Sequence, residues 1–148
     1  MDNLSYKFVT DTSTLCVFDL SCLKHRLEDD VDWWSIPSEE LAEVNLGNVA
    51  FLGLGSDGEF VIEIMESISQ PIVKTNIKVP SGKIFIGAGE EVTADELEPD
   101  CVRGRGFLSL EAGNYILSAR VEGSIIQVSF ELGKDDGNHF KDLLRLVD

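Results

Sequence analysis

The chain has 148 residues, 43% of them hydrophobic, and sets 27 acidic against 12 basic side chains for a net charge of −15. That size and apolar fraction fit a single folded domain over residues 1–148, not a disordered acidic tail. The charge opposes nucleic acid and anionic membranes as partners, and no window approaches the ~20 uninterrupted apolar residues of a membrane helix.

The start, Met1-Asp2-Asn3-Leu4-Ser5, has no basic region followed by an apolar run, so a cytoplasmic location is expected. Thr14–Leu20 reads as a strand. Cys16, Cys22 and Cys101 are odd in number and form no CxxC pair, which favours buried free thiols over a disulfide framework or a zinc site. Cys22 and His25 are close in sequence, yet no nucleophile signature surrounds them and a surface turn accounts for both. From Glu28 to Glu43 the chain carries Glu28, Asp29, Asp30, Asp32, Glu39, Glu40 and Glu43 with no lysine or arginine. Within it, Trp33-Trp34 on an extended segment point in opposite directions, one inward and one outward. Pro37–Val44 then reads as a short helix with acids in its first turn and Gly47 near its end.

Val49–Leu54 and Glu59–Ile64 flank Gly55-Ser56-Asp57-Gly58, the composition of a hairpin turn. Strands follow at Ile72–Val79 and Lys83–Ile86. A second acidic stretch, again without lysine or arginine, holds Glu90, Glu91, Asp95, Glu96, Glu98 and Asp100. Thr93-Ala94-Asp95-Glu96 has capping-box spacing, and Pro99 limits any helix there to one or two turns. Arg103 and Arg105 fit local neutralisation of Glu98 and Asp100. After a strand at Gly106–Leu110, a second hairpin joins Asn114–Val121 to Ser124–Leu132 through Glu122-Gly123. Tyr115, Leu117, Ala119 and Val121 line one face, answered by Ile126, Val128, Phe130 and Leu132. The tail, with Phe140, Leu143, Leu144 and Val147, fits a helix or a final strand. Together these elements predict a mainly β, antiparallel sandwich of seven or eight strands with one to three short helices.

The order Lys78-Val79-Pro80-Ser81-Gly82, an acidic intervening loop, then Arg105–Leu117 with its Gly113-Asn114-Tyr115 turn, resembles the competence protein J-type nuclease inhibitors of bacteria. It is also similar to small bacterial domains of unknown function found among toxin-immunity proteins. The resemblance covers about the second half of the chain. It implies a sandwich fold and inhibition of a nuclease by charge mimicry.

The residues support no nucleophile–base–stabiliser set, so an enzyme is not expected, and neither a metal nor a cofactor is called for. A cytoplasmic binding module is expected instead, an immunity or inhibitor protein that neutralises a basic protein such as a nuclease-type toxin. Glu28, Asp29, Asp30, Asp32, Glu39, Glu40, Glu43, Glu90, Glu91, Asp95 and Glu96 would steer that partner, and Trp33 or Trp34 would anchor it. The alternative is a sandwich binding sugar or calcium, or an accessory subunit. The acidic segments at 29–32 and 56–59 lack the ligand alternation of an EF-hand loop.

Overall fold

A computed structural model describes residues 4–19, 21–22, 36–88, 106–135 and 137–147. In chain order the elements are β1 (Leu4–Thr10), β2 (Thr14–Asp19), α1 (Pro37–Asn45), β3 (Ala50–Gly53), β4 (Gly58–Met65) and β5 (Val73–Val79). Then come β6 (Lys83–Ala88), β7 (Phe107–Ser109), β8 (Gly113–Glu122), β9 (Ile125–Leu132) and β10 (Leu144–Arg145). The strands form two five-stranded sheets, sheet A ordered β1-β4-β9-β8-β5 and sheet B ordered β10-β3-β2-β6-β7. The protein is thus mainly β and sandwich-like, as the alternation pattern predicts.

The strand count and the antiparallel expectation need correction. The described residues hold ten strands, and two pairs run parallel: β4 with β9, and β3 with β10. The expected hairpin between 49–54 and 59–64 does not form. β3 pairs with β2 and β10 in sheet B, whereas β4 pairs with β1 and β9 in sheet A. The turn composition serves a crossing between sheets, with left-handed backbone at Gly55 (φ 78°) and Gly58 (φ 133°).

The apolar residues on both faces of β3 now have a cause. Leu15, Val17, Ala50, Leu52, Ile84 and Ile86 point from sheet B into the core shared with sheet A, where they meet Ile62, Ile77, Leu117, Ile126 and Val128. Their strand neighbours Cys16, Phe18, Phe51 and Phe85 point the other way and pack under Val44 of α1, with Phe107, Phe140 and Leu144 against them. Sheet B is therefore buried on both sides and sheet A mainly on one, which is why alternation is seen in β5 and the β8–β9 hairpin and not in β3. That hairpin forms as expected, except that its two turn residues are Gly123-Ser124: Glu122 pairs with Ile125. Gly123 has φ 62°, the positive value that such turns require at that position.

Two edge strands, β7 and β5, have backbone groups bonded to other parts of the chain. At one, the Tyr6 hydroxyl of β1 donates to the Phe107 carbonyl of β7 at 2.9 Å. At the other, the free side of β5 meets the chain after β9. Asn76 N donates to Asn138 Oδ1 at 2.8 Å, and Asn138 Nδ2 donates to Val44 O at 2.8 Å and Asn76 O at 3.0 Å. Lys78 N donates to Gly47 O at 2.8 Å. These bonds occupy backbone groups that an open edge would offer to another chain.

Candidate functional site

Pro37 at the start of α1 contributes no N–H where none is needed, and Glu39 and Glu40 in the first turn complement the positive end of the helix dipole. The helix then uses its i, i+3, i+4 stripe inwardly. Val44 and Glu43 are each 2% exposed, and Glu40, four residues before Val44, lies on the same side.

The three described acids of the first stretch therefore separate. Glu43 is turned into the fold, where its Oε1 accepts from Asn48 Nδ2 at 2.8 Å while Asn48 N donates to the Glu43 carbonyl at 3.1 Å. That corrects the expectation of Glu43 as a residue facing a partner: it holds the turn that returns α1 to β3. Glu39 and Glu40 remain partly exposed. Burial pushes the Glu40 carboxyl up to about 7. Glu28, Asp29, Asp30, Asp32, Trp33, Trp34, Glu90, Glu91, Asp95 and Glu96 lie outside the described residues, as do His25, Arg103 and Arg105.

The topology fixes where the acidic stretches attach. Thr14 pairs with Gly53, Arg145 pairs with Gly53, and Leu15 pairs with Ala88, so these residues share one end of sheet B. Ile86 N donates to Gly106 O at 2.6 Å, placing Gly106 there too. The second acidic stretch leaves from Ala88 and returns at Gly106. Glu40 lines a cleft with Thr14, Gly53 and Arg145 at the same end. Neighbouring strands are ~5 Å apart, so Thr14, on the wall of that cleft, is one strand spacing from Ala88.

The opposite end of sheet B is built around Asp19, which is fully buried. Its Oδ1 accepts from Ser21 N (2.9 Å), Ser21 Oγ (2.7 Å) and Ser81 Oγ (2.7 Å), and its Oδ2 from Ser81 N (2.8 Å). Desolvation raises its pKa, but the side-chain and backbone bonds from Ser81 and Ser21 together outweigh that and hold it below the ordinary value. Beside it the Cys22 thiol is pushed up to about 11, first by burial and then by the Asp19 charge, and its Sγ is 3.7 Å from the Lys78 carbonyl. A thiol so protonated is a poor nucleophile.

A cleft of about 660 Å³ is lined by Asn45, Asn76, Asn138 and His139. Its amides are committed within the fold: Asn45 exchanges two bonds with the Phe140 backbone at 3.0 and 2.8 Å, and Asn76 Nδ2 donates to Gly137 O at 3.0 Å. Neither this network nor the closing of the Asp19 clamp by Ser81 was visible in the sequence, because these partners are 61 to 95 residues apart.

The separated character of Glu40 has a measurable consequence. Because its folded pKa of about 7 exceeds the ordinary 4.5, ionising it costs stability, and that cost is absent below the ordinary value and complete above the folded one. Glu40→Gln should therefore stabilise the protein by about 1–2 kcal/mol near pH 8, allowing for solvent screening, and by nothing measurable near pH 4. Urea melts of both proteins at the two pH values check this; equal gains at both would remove the ionisation as the cause.

Comparison with solved structures supports the fold. "Crocagin biosynthetic gene J" matches with a TM-score of 0.56 and 14% identity, covering 90% of this chain and 100% of that one. ComJ from Bacillus subtilis, described as an inhibitor of the DNA degrading activity of NucA, matches with a TM-score of 0.50 and 11% identity, covering 88% of this chain and 94% of that one. The resemblance read from residues 78–82 and 105–117 is thus borne out as structural similarity. No curated protein matches the sequence. Residues 1–146 match the model of the "Family of unknown function (DUF6386)", and the chain belongs to that family.

Proposed function

We propose that the protein is a non-enzymatic, cytoplasmic inhibitor or immunity protein that neutralises a basic protein, such as a nuclease-type toxin. The observation that carries this reading is the attachment of the second acidic stretch at the end of sheet B whose cleft Glu40 lines. A folded body with a net charge of −15 presents a polyanion to an enzyme whose cleft is built for one. The ComJ likeness supports the same reading, since that protein is described as inhibiting a nuclease. The protonated Cys22 thiol favours binding over thiol chemistry.

Opposite fields should accelerate encounter to about 10⁸ M⁻¹s⁻¹ at low salt. Raising salt from about 0.1 to about 1 M shortens the screening length from ~10 to ~3 Å, so association should slow by at least about tenfold. The test adds the purified protein to the basic protein fraction of its host and follows DNA and RNA degradation. Inhibition that salt relieves, and that a variant with lysines replacing the acids at 28–32 loses, is the expected result. Unchanged degradation at every salt concentration sinks the reading. The crocagin likeness favours a second reading, an accessory protein of a biosynthetic assembly. That one predicts a bound partner without a basic surface.

A further inference from the structure

We propose that the cleft beside Glu40 is a subsite for a single basic side chain, lysine or arginine, of the protein partner. The inference deepens the inhibitor reading and rests on it for the source of that side chain. The cleft, about 370 Å³, opens at the end of sheet B already identified and is lined by Ser13, Thr14, Glu40, Gly53, Arg145 and Val147 among others.

Its chemistry is that of an acceptor set. The Ser13 hydroxyl donates to Asp57 Oδ1 at 2.6 Å, and the Thr14 hydroxyl donates to the Thr12 carbonyl at 2.9 Å. Both hydrogens are committed, which leaves the oxygen lone pairs available to an incoming N–H. Ser13 holds φ 54°, an uncommon value for a residue with a side chain, fixed by the Asp57 bond and by Leu54 N donating to Ser13 O at 2.7 Å. Gly53 and Gly55 expose backbone on one wall, while Leu144 and Val147 supply an aliphatic wall against which a methylene stem can lie. Among the described residues no basic group is paired with the Glu40 carboxylate, whose elevated pKa records burial without a counter-charge. A cation entering the cleft removes that deficit, and in partly desolvated surroundings the bond is stronger than on an open surface.

Other guests fit worse. An anion meets Glu40 and the −15 net charge, and a calcium ion needs six to eight oxygens where this site offers one carboxylate. Among the described residues, the charged groups around Glu40 are Arg145 on β10, Glu39 and Glu43 on α1, and Asp57 behind Ser13. Arg145 is the competing occupant. Its Cγ lies 3.4 Å from where a Cβ would stand on Gly53, so its stem crosses the rim, and the residue is exposed.

The test titrates the whole protein with Nα-acetyl-lysine methylamide, its arginine counterpart and the neutral norleucine analogue, reading the Glu40 carboxyl carbon and the Thr14 amide by NMR. Near pH 8 either cationic probe should shift both signals saturably while the norleucine analogue does not. Affinity should be about tenfold weaker near pH 6, where a carboxyl of pKa about 7 is mostly protonated, and Glu40→Gln should abolish the response. No saturable shift with either cation, or an equal shift in Glu40→Gln, overturns the proposal. So does a Glu40 that titrates normally in the wild type and is raised only in Arg145→Ala, since the chain's own arginine then fills the cleft. The titration needs no partner, so its failure and a failure of nuclease inhibition are told apart.

Discussion

Asp19→Ala is expected to lower the melting temperature by about 10 °C, the largest single effect foreseen for this protein. The carboxylate accepts from four donors, two backbone N–H groups and two hydroxyls, and it ties the end of β2 to the turn between β5 and β6. Removing it costs four bonds to a charged acceptor, about 1.5–3 kcal/mol each, of which the exposed Ser81 and half-exposed Ser21 donors recover part from water. Asp19→Asn keeps the shape but turns an amide NH₂ toward N–H and O–H donors, so it should recover less than half of the loss. The pH dependence has a definite sign. The native pKa lies below the ordinary 3.8, so this stabilisation is present above pH ~3.8 and fades as pH falls through the native value. Calorimetry should show a constant gap between wild type and Asp19→Ala from about pH 5 to pH 8, narrowing only once pH falls below ~3.8. A gap that persists in acid would mean lost packing, not lost charge.

Asn138→Ala should cost about 2–3 kcal/mol, because one side chain closes the β5 edge and the C-terminal end of α1 at once. Asn138→Asp discriminates the cause. It retains an acceptor for Asn76 N but presents oxygen to the carbonyls of Val44 and Asn76, so it should be at least as damaging as alanine. Hydrogen exchange supplies the local readout: the Asn76 amide should lose protection in both variants while Leu117 in the adjacent β8 keeps it. Equal loss at both positions would indicate global destabilisation instead.

What the sequence revealed depended on how local the cause was. The β8–β9 hairpin and α1 were legible because a Gly turn, a helix-starting proline and strict alternation act within ten residues or so. β3 and β4 were misjudged because a Gly-Ser-Asp-Gly turn looks the same whether the chain doubles back in one sheet or crosses to another. The decisive contacts, Leu52 with Leu15 and Ile62 with Tyr6 and Ile126, lie 37 to 64 residues away. β1 was not read at all, although Tyr6 and Phe8 alternate with Ser5 and Lys7 as in a half-buried strand; its partner β4 lies about 50 residues further on. At the candidate site, charge counting grouped Glu39, Glu40 and Glu43. The i+4 relation of Glu40 to the apolar Val44 was already a sign that these acids do not share one exposure.

The parallel pairing of β4 with β9 has a consequence for the nascent chain. Val61 pairs with Ile125, so the inner edge of β4 has no partner until roughly 60 further residues have been made. At ~5–20 residues per second that leaves a β1–β4 ribbon with one side open for several seconds. Sheet A cannot close by stepwise addition of neighbouring hairpins; it waits for β8–β9 to be inserted as a unit between β4 and β5. During synthesis the polypeptide is therefore dependent on its acidic charge, and on whatever chaperone meets it, to keep that ribbon from pairing with another copy of itself.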